Sequence, residues 1–321
     1  MRLPKEWIYL AKNEVLVRRP VEFAAELEKA VPPERLLVDE PMSKHTTFKI
    51  GGPADYLVLP ATVQEVAAVL DTAKQYAVPV TVLGNGSNVL VLDRGIRGLV
   101  VKFGPEMGYI SHRGSTLFAG AGALLAEVSK YAAAHNLAGF EFAIGIPGSI
   151  GGAVFMNAGA YDGDMSQVVQ AVTAVCGNGE LRRFTREELN FGYRHSVFQE
   201  NDCFVCEVEL GLTEGEDNSI RGLLDDYTSK RESKQPLEMP SAGSTFKRPQ
   251  GYFAGTLIEQ AGLKGACVGG AQVSKKHAGF IINAGGATAQ DVLALISKVQ
   301  DGVYKQFGIS LHPEVRVLGE E

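Results

Sequence analysis

Two glycine-rich stretches are the segments of this chain best suited to hold a ligand. Gly84-Asn85-Gly86-Ser87-Asn88 follows the apolar run Val78 to Leu83 and precedes another, Val89 to Leu92. A loop of that composition can turn its backbone N–H groups inward as a nest, and its small side chains let an anion approach closely. It has no P-loop lysine, and its spacing is not G-x-G-x-x-G, so neither a nucleoside triphosphatase loop nor a dinucleotide fingerprint is present. Taken alone, the pentapeptide also reads as a tight turn. The second stretch, Ala143 to Gly163, carries Gly at 145, 148, 151, 152, 159 and 163 and no charge before Asp162. Such a segment suits neither a solvated loop nor side-chain packing. It fits backbone wrapped against a large, partly apolar ligand, with Ile146, Ile150 and Val154 in van der Waals contact. A Rossmann-like spacing at Gly120 and Gly122 fails because Leu125 stands where a third Gly is needed.

A scattered polar group could carry chemistry. Tyr193-Arg194-His195-Ser196 interrupts an apolar context, and Ala242-Gly243-Ser244-Thr245-Phe246 follows a Pro-flanked loop. Leu311 to Arg316 reads as a C-terminal strand with His312, Glu314 and Arg316 on one face. Singly, each has a simple structural explanation: a surface Arg, an N-cap Ser, an exposed strand carboxylate. Four cysteines are too few for a disulfide framework, and Cys203 and Cys206 read as buried thiols on a strand, since no second C-x-x-C completes a zinc site.

The elements that must position these residues follow from periodicity. A helix is expected from Pro20 to Val31, then a strand over Ala54 to Leu59. A second helix has Val63, Val66, Ala67, Leu70 and Ala73 on one face, and a strand follows over Val78 to Leu83. Strand, helix, strand is a βαβ unit, which implies a sheet covered by helices. Strand patterns then dominate: Leu99 to Phe103, Thr116 to Ala119, Val168 to Cys176, Leu181 to Phe184 and Cys203 to Leu210. One helix interrupts them, with Leu124, Leu125, Val128, Tyr131 and Ala132 as its buried stripe. Asn178-Gly179 predicts a type I′ hairpin, and Thr185 with Glu188 predicts a capping box opening a short helix. The charged stretch Thr213 to Lys234 reads as a boundary and then a helix with Ile220, Leu223, Leu224 and Tyr227 inward. A last helix is expected from Ala289 to Phe307, with Val292, Leu295, Ile296, Val299 and Val303 on one face. The class is α+β with two or three lobes.

Composition narrows the function. The chain has 321 residues, 45% hydrophobic and 21% charged, which is globular, and its 37 glycines are the departure. Lys+Arg 31 against Asp+Glu 37 gives a net charge of −6 with no basic cluster, so nucleic acid is not an expected partner. Met1 to Val15 is broken by Lys5, Lys12, Asn13 and Glu14, so it is not expected to act as a signal peptide, and no run approaches 18 apolar residues. A cytoplasmic protein without a membrane partner is expected.

Six motifs occur here in one order: His45-Thr46-Thr47-Phe48-Lys49-Ile50-Gly51-Gly52, the Gly84 to Asn88 loop, Ile146-Pro147-Gly148-Ser149-Ile150-Gly151-Gly152-Ala153, Tyr193-Arg194-His195-Ser196, Ala242-Gly243-Ser244-Thr245-Phe246-Lys247 and Pro313-Glu314-Val315-Arg316. Together, over residues 40 to 320, they strongly resemble the UDP-N-acetylenolpyruvoylglucosamine reductase (MurB) family, flavoenzymes of peptidoglycan precursor synthesis. Fifty positions separate Arg194 from Ser244, so the chain is similar to the shorter type of that family, which lacks an extra substrate-clamping loop. The resemblance implies an α+β fold: a two-lobed FAD-binding domain of the vanillyl-alcohol-oxidase/PCMH type plus a smaller C-terminal α+β substrate domain. The expected lobes are 1–98, with the strand 312–321 returning to it, and 99–212; the substrate domain is expected at 213–311.

FAD, held noncovalently, and NADPH as reductant are implied by the same resemblance. Gly84, Asn85, Gly86, Ser87 and Asn88, with Ile146, Pro147, Gly148, Ser149, Gly151 and Gly152, are the implied cofactor contacts. The implied reaction passes hydride from flavin N5 to the vinyl carbon of a UDP-sugar enolpyruvyl ether. Arg194 then offers a fixed guanidinium fork to the carboxylate that gains charge, Glu314 has to be protonated, or poised through a raised pKa, to assist rather than repel, and Ser244 protonates the carbanion carbon. Tyr193, Lys234, Arg248 and Gln272 are candidate substrate contacts, Lys234 and Arg248 for phosphates. No metal is implied, and a monomer or weak oligomer is expected. An FAD-dependent sugar or aldonolactone oxidase on the same scaffold, and a flavin-binding nucleotide-sugar sensor without catalysis, stay open as alternatives.

Overall fold

The structure, a computed structural model, describes residues 21–320. The reading of Met1 to Val15 and the expected helix start at Pro20 lie outside them. The first sheet has the order Leu36–Pro41, Pro53–Val58, Ile96–Lys102, Val80–Leu83. Its first pair is antiparallel, and the other two pairs are parallel to Ile96–Lys102. The βαβ unit therefore forms with a third strand between its two: the helix Val63–Gln75 crosses from Pro53–Val58 to Val80–Leu83. Thr62 caps that helix by accepting the Glu65 N–H at 3.1 Å. The boundary expected after residue 98 falls inside Ile96–Lys102, which belongs as a whole to this sheet because it pairs on both sides.

The second sheet is antiparallel, in the order Leu181–Thr185, Val169–Cys176, Cys203–Gly211, Thr116–Gly120, Ile110–Arg113. The helices Leu125–Ala134 and Ile150–Met156 contribute Leu125, Val128, Ile150 and Val154 to its core. One apolar cluster joins the two sheets, since Val66, Leu99 and Val101 are in it with Leu117, Val172 and Val208. Leu124, expected in the buried stripe, is the N-cap residue and is exposed.

Local turn chemistry departs from the pattern reading in three places. The 176–180 hairpin is not type I′: Asn178 keeps a negative φ, and Gly179 alone is left-handed at +80°. The Gly179 N–H bonds to Cys176 O at 2.7 Å and the Cys176 N–H to Glu180 O at 2.9 Å, a three-residue loop closed by a glycine bulge. Glu188 accepts the Thr185 N–H at 2.8 Å, but turns rather than a helix follow. Cys203 is not a free thiol. It stands opposite Cys176 in the ladder and is disulfide-bonded to it, while Cys206 stays a buried thiol whose pKa burial pushes up to about 12.

The third sheet has the order Ser241–Ser244, Phe280–Asn283, Ala271–Val273, Cys267–Val268, all antiparallel. The helices Ala254–Gln260 and Ala289–Phe307 pack on it through Leu257, Ile258, Val292, Leu295, Ile296, Val299 and Val303. Thr288 and Asp291 form a capping box at the start of the long helix, and Gly308 ends it at φ +68°. Helix Asp217–Lys234 packs instead against Glu141–Ala143 and Leu125–Ala134, with Ile220 buried and Leu223 exposed. The expected strand Leu311 to Arg316 begins only at Arg316. Arg316–Leu318 lies parallel to Val89–Val91, so the chain returns to the strand that follows the first glycine loop. No described helix is long and apolar enough to cross a membrane.

Candidate active site

A cleft of about 1480 Å³ is lined by residues of all three sheets and their loops. It exceeds the roughly 300–1,000 Å³ usual for one small ligand and has room for two. Every expected cofactor contact lines it: Gly84 to Asn88, Ile146 to Ser149, Gly151 and Gly152. Asn85 Nδ2 donates to Pro147 O at 2.5 Å and ties the two loops together. Gly86, at φ +65°, leaves no room for a Cβ, which would stand 2.2 Å from His45 O. The Thr47 N–H donates to Gly86 O at 3.1 Å, so the His45 motif braces this loop from beneath.

The loops suit a diphosphate. Among the described residues no acceptor meets the N–H groups of Asn85, Gly86, Ser87, Asn88, Gly148 or Ser149, and Ser149 Oγ is buried without a hydrogen-bond partner. Unengaged donors in two facing, side-chain-poor loops can neutralise phosphate oxygens without a lysine. Ile146 lines the cleft, but Ile150 and Val154 do not contact a ligand there. They sit on the inner face of helix Ile150–Met156 and are fully buried in the core.

The C-terminal segment brings the three reactive candidates together. The Glu314 N–H donates to Thr245 O at 2.8 Å, and the Lys247 N–H to His312 O at 2.8 Å, which lays this segment beside the Ser244 motif. On its other side, Asn88 Nδ2 donates to Glu314 O at 3.3 Å and the Arg316 N–H to Asn88 O at 3.0 Å. The Glu314 carboxylate then accepts Arg194 Nε at 2.6 Å, in a pair that is largely buried. That contact neutralises the carboxylate inside the cleft and leaves the Nη end of Arg194 for a ligand. A register shift between Ser241 and Ser244, with Gly243 at φ +73°, turns Ser244 out of the sheet edge into the cleft. Arg194 itself is left-handed at φ +55°, which costs on the order of 1–3 kcal/mol in a non-glycine residue.

Tyr193, Lys234 and Arg248 also line the cleft. Tyr193 Oη accepts the Arg248 N–H at 3.3 Å, and the Arg248 guanidinium stacks on Phe253 at 4.0 Å. Gln272 is not among them: it points along its own hairpin, donating to Gly265 O at 3.4 Å and Cys267 Sγ at 3.0 Å. His312 is exposed and faces an adjoining hollow with Lys247 and Tyr252, which shares Tyr193 and Arg248 with the cleft, because the strand expected to align it with Glu314 does not form there.

Three cleft residues carry no signal that pattern reading could use. Arg231, against Gly145, has no carboxylate partner among the described residues, and burial lowers its pKa. Lys276 lines the cleft and its Nζ donates to Glu232 O at 2.7 Å, in helix Asp217–Lys234. His277 accepts the Gly279 N–H on Nδ1 at 3.0 Å, and burial lowers its pKa below the usual histidine range. All three lie in ordinary charged runs of the sequence.

His45 lies beneath the loop. Its Nε2 is 3.0 Å from Glu40 Oε1 and its Nδ1 is 3.1 Å from Lys102 Nζ. Desolvation, then Lys102, lowers its pKa against the opposing Glu40, which favours the neutral ring; the tautomer that satisfies both contacts has Nε2–H facing Glu40 and Nδ1 accepting from Lys102. Burial likewise lowers the Lys102 pKa.

Comparison with known proteins bears on this geometry. Residues 54–185 match the model of an FAD binding domain, and residues 235–318 that of the UDP-N-acetylenolpyruvoylglucosamine reductase C-terminal domain. The chain is 52% identical over 301 residues, 94% of its length and 99% of the relative's, to the UDP-N-acetylenolpyruvoylglucosamine reductase of Clostridium perfringens strain SM101. It is 50% identical over 295 residues to that of Alkaliphilus oremlandii, covering 92% of this chain and 97% of the relative. Among solved structures, the reductase (MurB) of Thermus caldophilus superposes with a TM-score of 0.76 at 36% identity, over 88% of this chain and 98% of that one.

Proposed function

The chain belongs to the UDP-N-acetylenolpyruvoylglucosamine reductase family, an FAD-dependent oxidoreductase family, and from that premise we propose how its own residues carry the reaction. It reduces the enolpyruvyl ether of UDP-N-acetylglucosamine to UDP-N-acetylmuramate for cell-wall precursor synthesis in the cytoplasm. FAD, when bound, supplies the hydride, and NADPH replenishes it. The first two lobes hold the cofactor through Gly84 to Asn88 and Ile146 to Gly152, and the third unit faces the substrate. His45 is not among the residues that line the cleft, and its ring nitrogens face Glu40 and Lys102, so this reading assigns it no covalent link to the cofactor.

The observation that carries this reading is the convergence of Arg194, Glu314 and Ser244 on one cleft from three distant segments. Hydride arriving at the vinyl carbon drives negative charge onto the adjacent carbon and its carboxylate. The Nη end of Arg194 meets that charge with a fixed fork, held in aim by Glu314 at its Nε. Ser244 Oγ delivers a proton to the carbanion carbon, which is basic enough to take it from an alcohol. Tyr193, Lys234, Arg248 and Arg231 supply an aromatic face and cations for the nucleotide diphosphate. A sugar oxidase on this scaffold would need no such trio. Oxidation of NADPH should depend on the UDP-enolpyruvyl sugar; reduction of the flavin by a simple aldose or aldonolactone with no NADPH present would sink the reading.

A further inference from the structure

Of the three reactive candidates, only Arg194 has a left-handed backbone. At φ +55° its carbonyl and side chain are rotated away from any strand or helix direction, so the orientation has to be held from outside. The turn Gly192–His195 is closed by two backbone bonds of 3.1 and 3.2 Å, but these leave the Arg194 carbonyl unengaged. Gln199, at the end of the single turn Val197–Gln199, takes it. Gln199 Nε2 donates to Arg194 O at 3.0 Å and to Phe155 O at 2.8 Å, while its Oε1 accepts from Arg316 Nη1 at 3.2 Å.

The third bond fixes the amide. With an arginine donor on one side and two carbonyls on the other, only one orientation satisfies all three contacts. Arg316 also stacks on Phe155 at 4.8 Å, and it stands two residues after Glu314. Arg194 is thus gripped at its carbonyl through Gln199 and at its Nε by Glu314, and both grips run back to the same short C-terminal segment.

We propose that Gln199 is a positioning residue for the flavin-to-substrate step: by holding the Arg194 carbonyl it keeps Arg194 left-handed and its Nη groups aimed at the carboxylate of the enolpyruvyl ether. The inference rests on the reductase reading above. A displacement of about 1 Å at a catalytic group lowers a rate by about 10²-fold, so losing this hold should be visible in one half-reaction and silent in the other.

Rapid mixing separates the two half-reactions. Gln199→Met keeps length and volume without the donors, and Gln199→Glu puts an acceptor against two carbonyls. Both should retain FAD and be reduced by NADPH at the parent rate, and both should be reoxidised by the UDP-enolpyruvyl sugar about 10²-fold more slowly. In an Arg194→Lys background, Gln199→Met should cost less than about threefold more, because the residue it positions is already gone. Reoxidation of both variants within about threefold of the parent overturns the proposal. So does a full multiplication of the two effects, or an equal loss in both half-reactions, which would mark Gln199 as a structural tie. A parent that NADPH reduces but the enolpyruvyl ether does not reoxidise refutes the reductase reading, and this one with it.

Discussion

Ser244 Oγ faces the cleft and engages no acceptor among the described residues, so its proton is not committed to the protein. Ser244→Ala should bind FAD and be reduced by NADPH normally, then lose on the order of 10²–10⁴-fold in reoxidation by the enolpyruvyl ether. Ser244→Cys should recover part of this, because a thiol is a better acid. A merely structural hydroxyl predicts a stability loss of about 1 kcal/mol and unchanged turnover. His45 makes a different kind of prediction. Its pKa is lowered in the fold, so between that value and about 6.5 the unfolded chain binds a proton that the native one does not. Stability from this site is complete above about pH 6.5 and falls as pH drops below it. The ionised form of Glu40 is favoured as well, but its contribution is lost only at more acid pH, through the carboxylate range. His45→Gln should therefore flatten the dependence of the urea midpoint on pH between about 7 and 5. An unaltered slope would place the titration elsewhere, His277 being the next group with the same sign.

Elements with a long period were legible in the sequence, and those set by one backbone angle or one distant contact were not. The helix Ala289–Phe307 matches its expected bounds because five apolar residues on one face set it, and in the structure the Thr288–Asp291 box and Gly308 close its ends. The 176–180 hairpin is not the primed turn its Asn-Gly pair predicts, since that pair fits a glycine bulge equally well and only the φ of Asn178 decides. The Cys176–Cys203 bond was hidden by 27 residues of separation and appears once the ladder sets them opposite. For the site, the glycine loops and the trio were visible through motif order. Gln199 and Arg231 were not, because their roles depend on which carbonyl or anion lies opposite. Glycine loops also offer a test at this scale. A Cβ at Gly148 finds nothing nearer than Ser87 Oγ at 3.6 Å, whereas one at Gly86 strikes the His45 carbonyl. Gly148→Ala should leave the flavin-free protein as stable as the parent and weaken FAD binding, while Gly86→Ala should cost about 1–3 kcal/mol even without FAD. Titration of stripped protein with FAD, beside thermal unfolding without it, reads both. Equal FAD affinity in Gly148→Ala and parent would remove that loop from the cofactor site.

At the scale of the whole molecule, the order of the chain explains why the reactive groups can sit together. Residues Phe48, Ile50, Leu90 and Leu92 of the first lobe share one apolar cluster with Ala242, Leu257, Val292 and Val317, so the third unit is clamped to the cofactor loop rather than hung on a linker. The C-terminal strand Arg316–Leu318 completes the clamp. Among the described residues it is the only strand paired with Val89–Val91, and the Leu92 N–H adds a bond to Leu318 O at 2.9 Å. Removing it would strip the Gly84 to Asn88 loop of the strand that anchors its exit, together with the contacts from Glu314 and Arg316 to Asn88. A chain ending at His312 should therefore lose bound FAD, not only turnover. Glu314→Gln makes the comparison, because it keeps every backbone contact of the segment and changes only the group that faces Arg194. That variant should stay yellow, be reduced by NADPH, and fail in the second half-reaction. If the shortened chain binds FAD as tightly as the parent, the segment serves the chemistry alone, and the cofactor loop is held by the His45 motif without it.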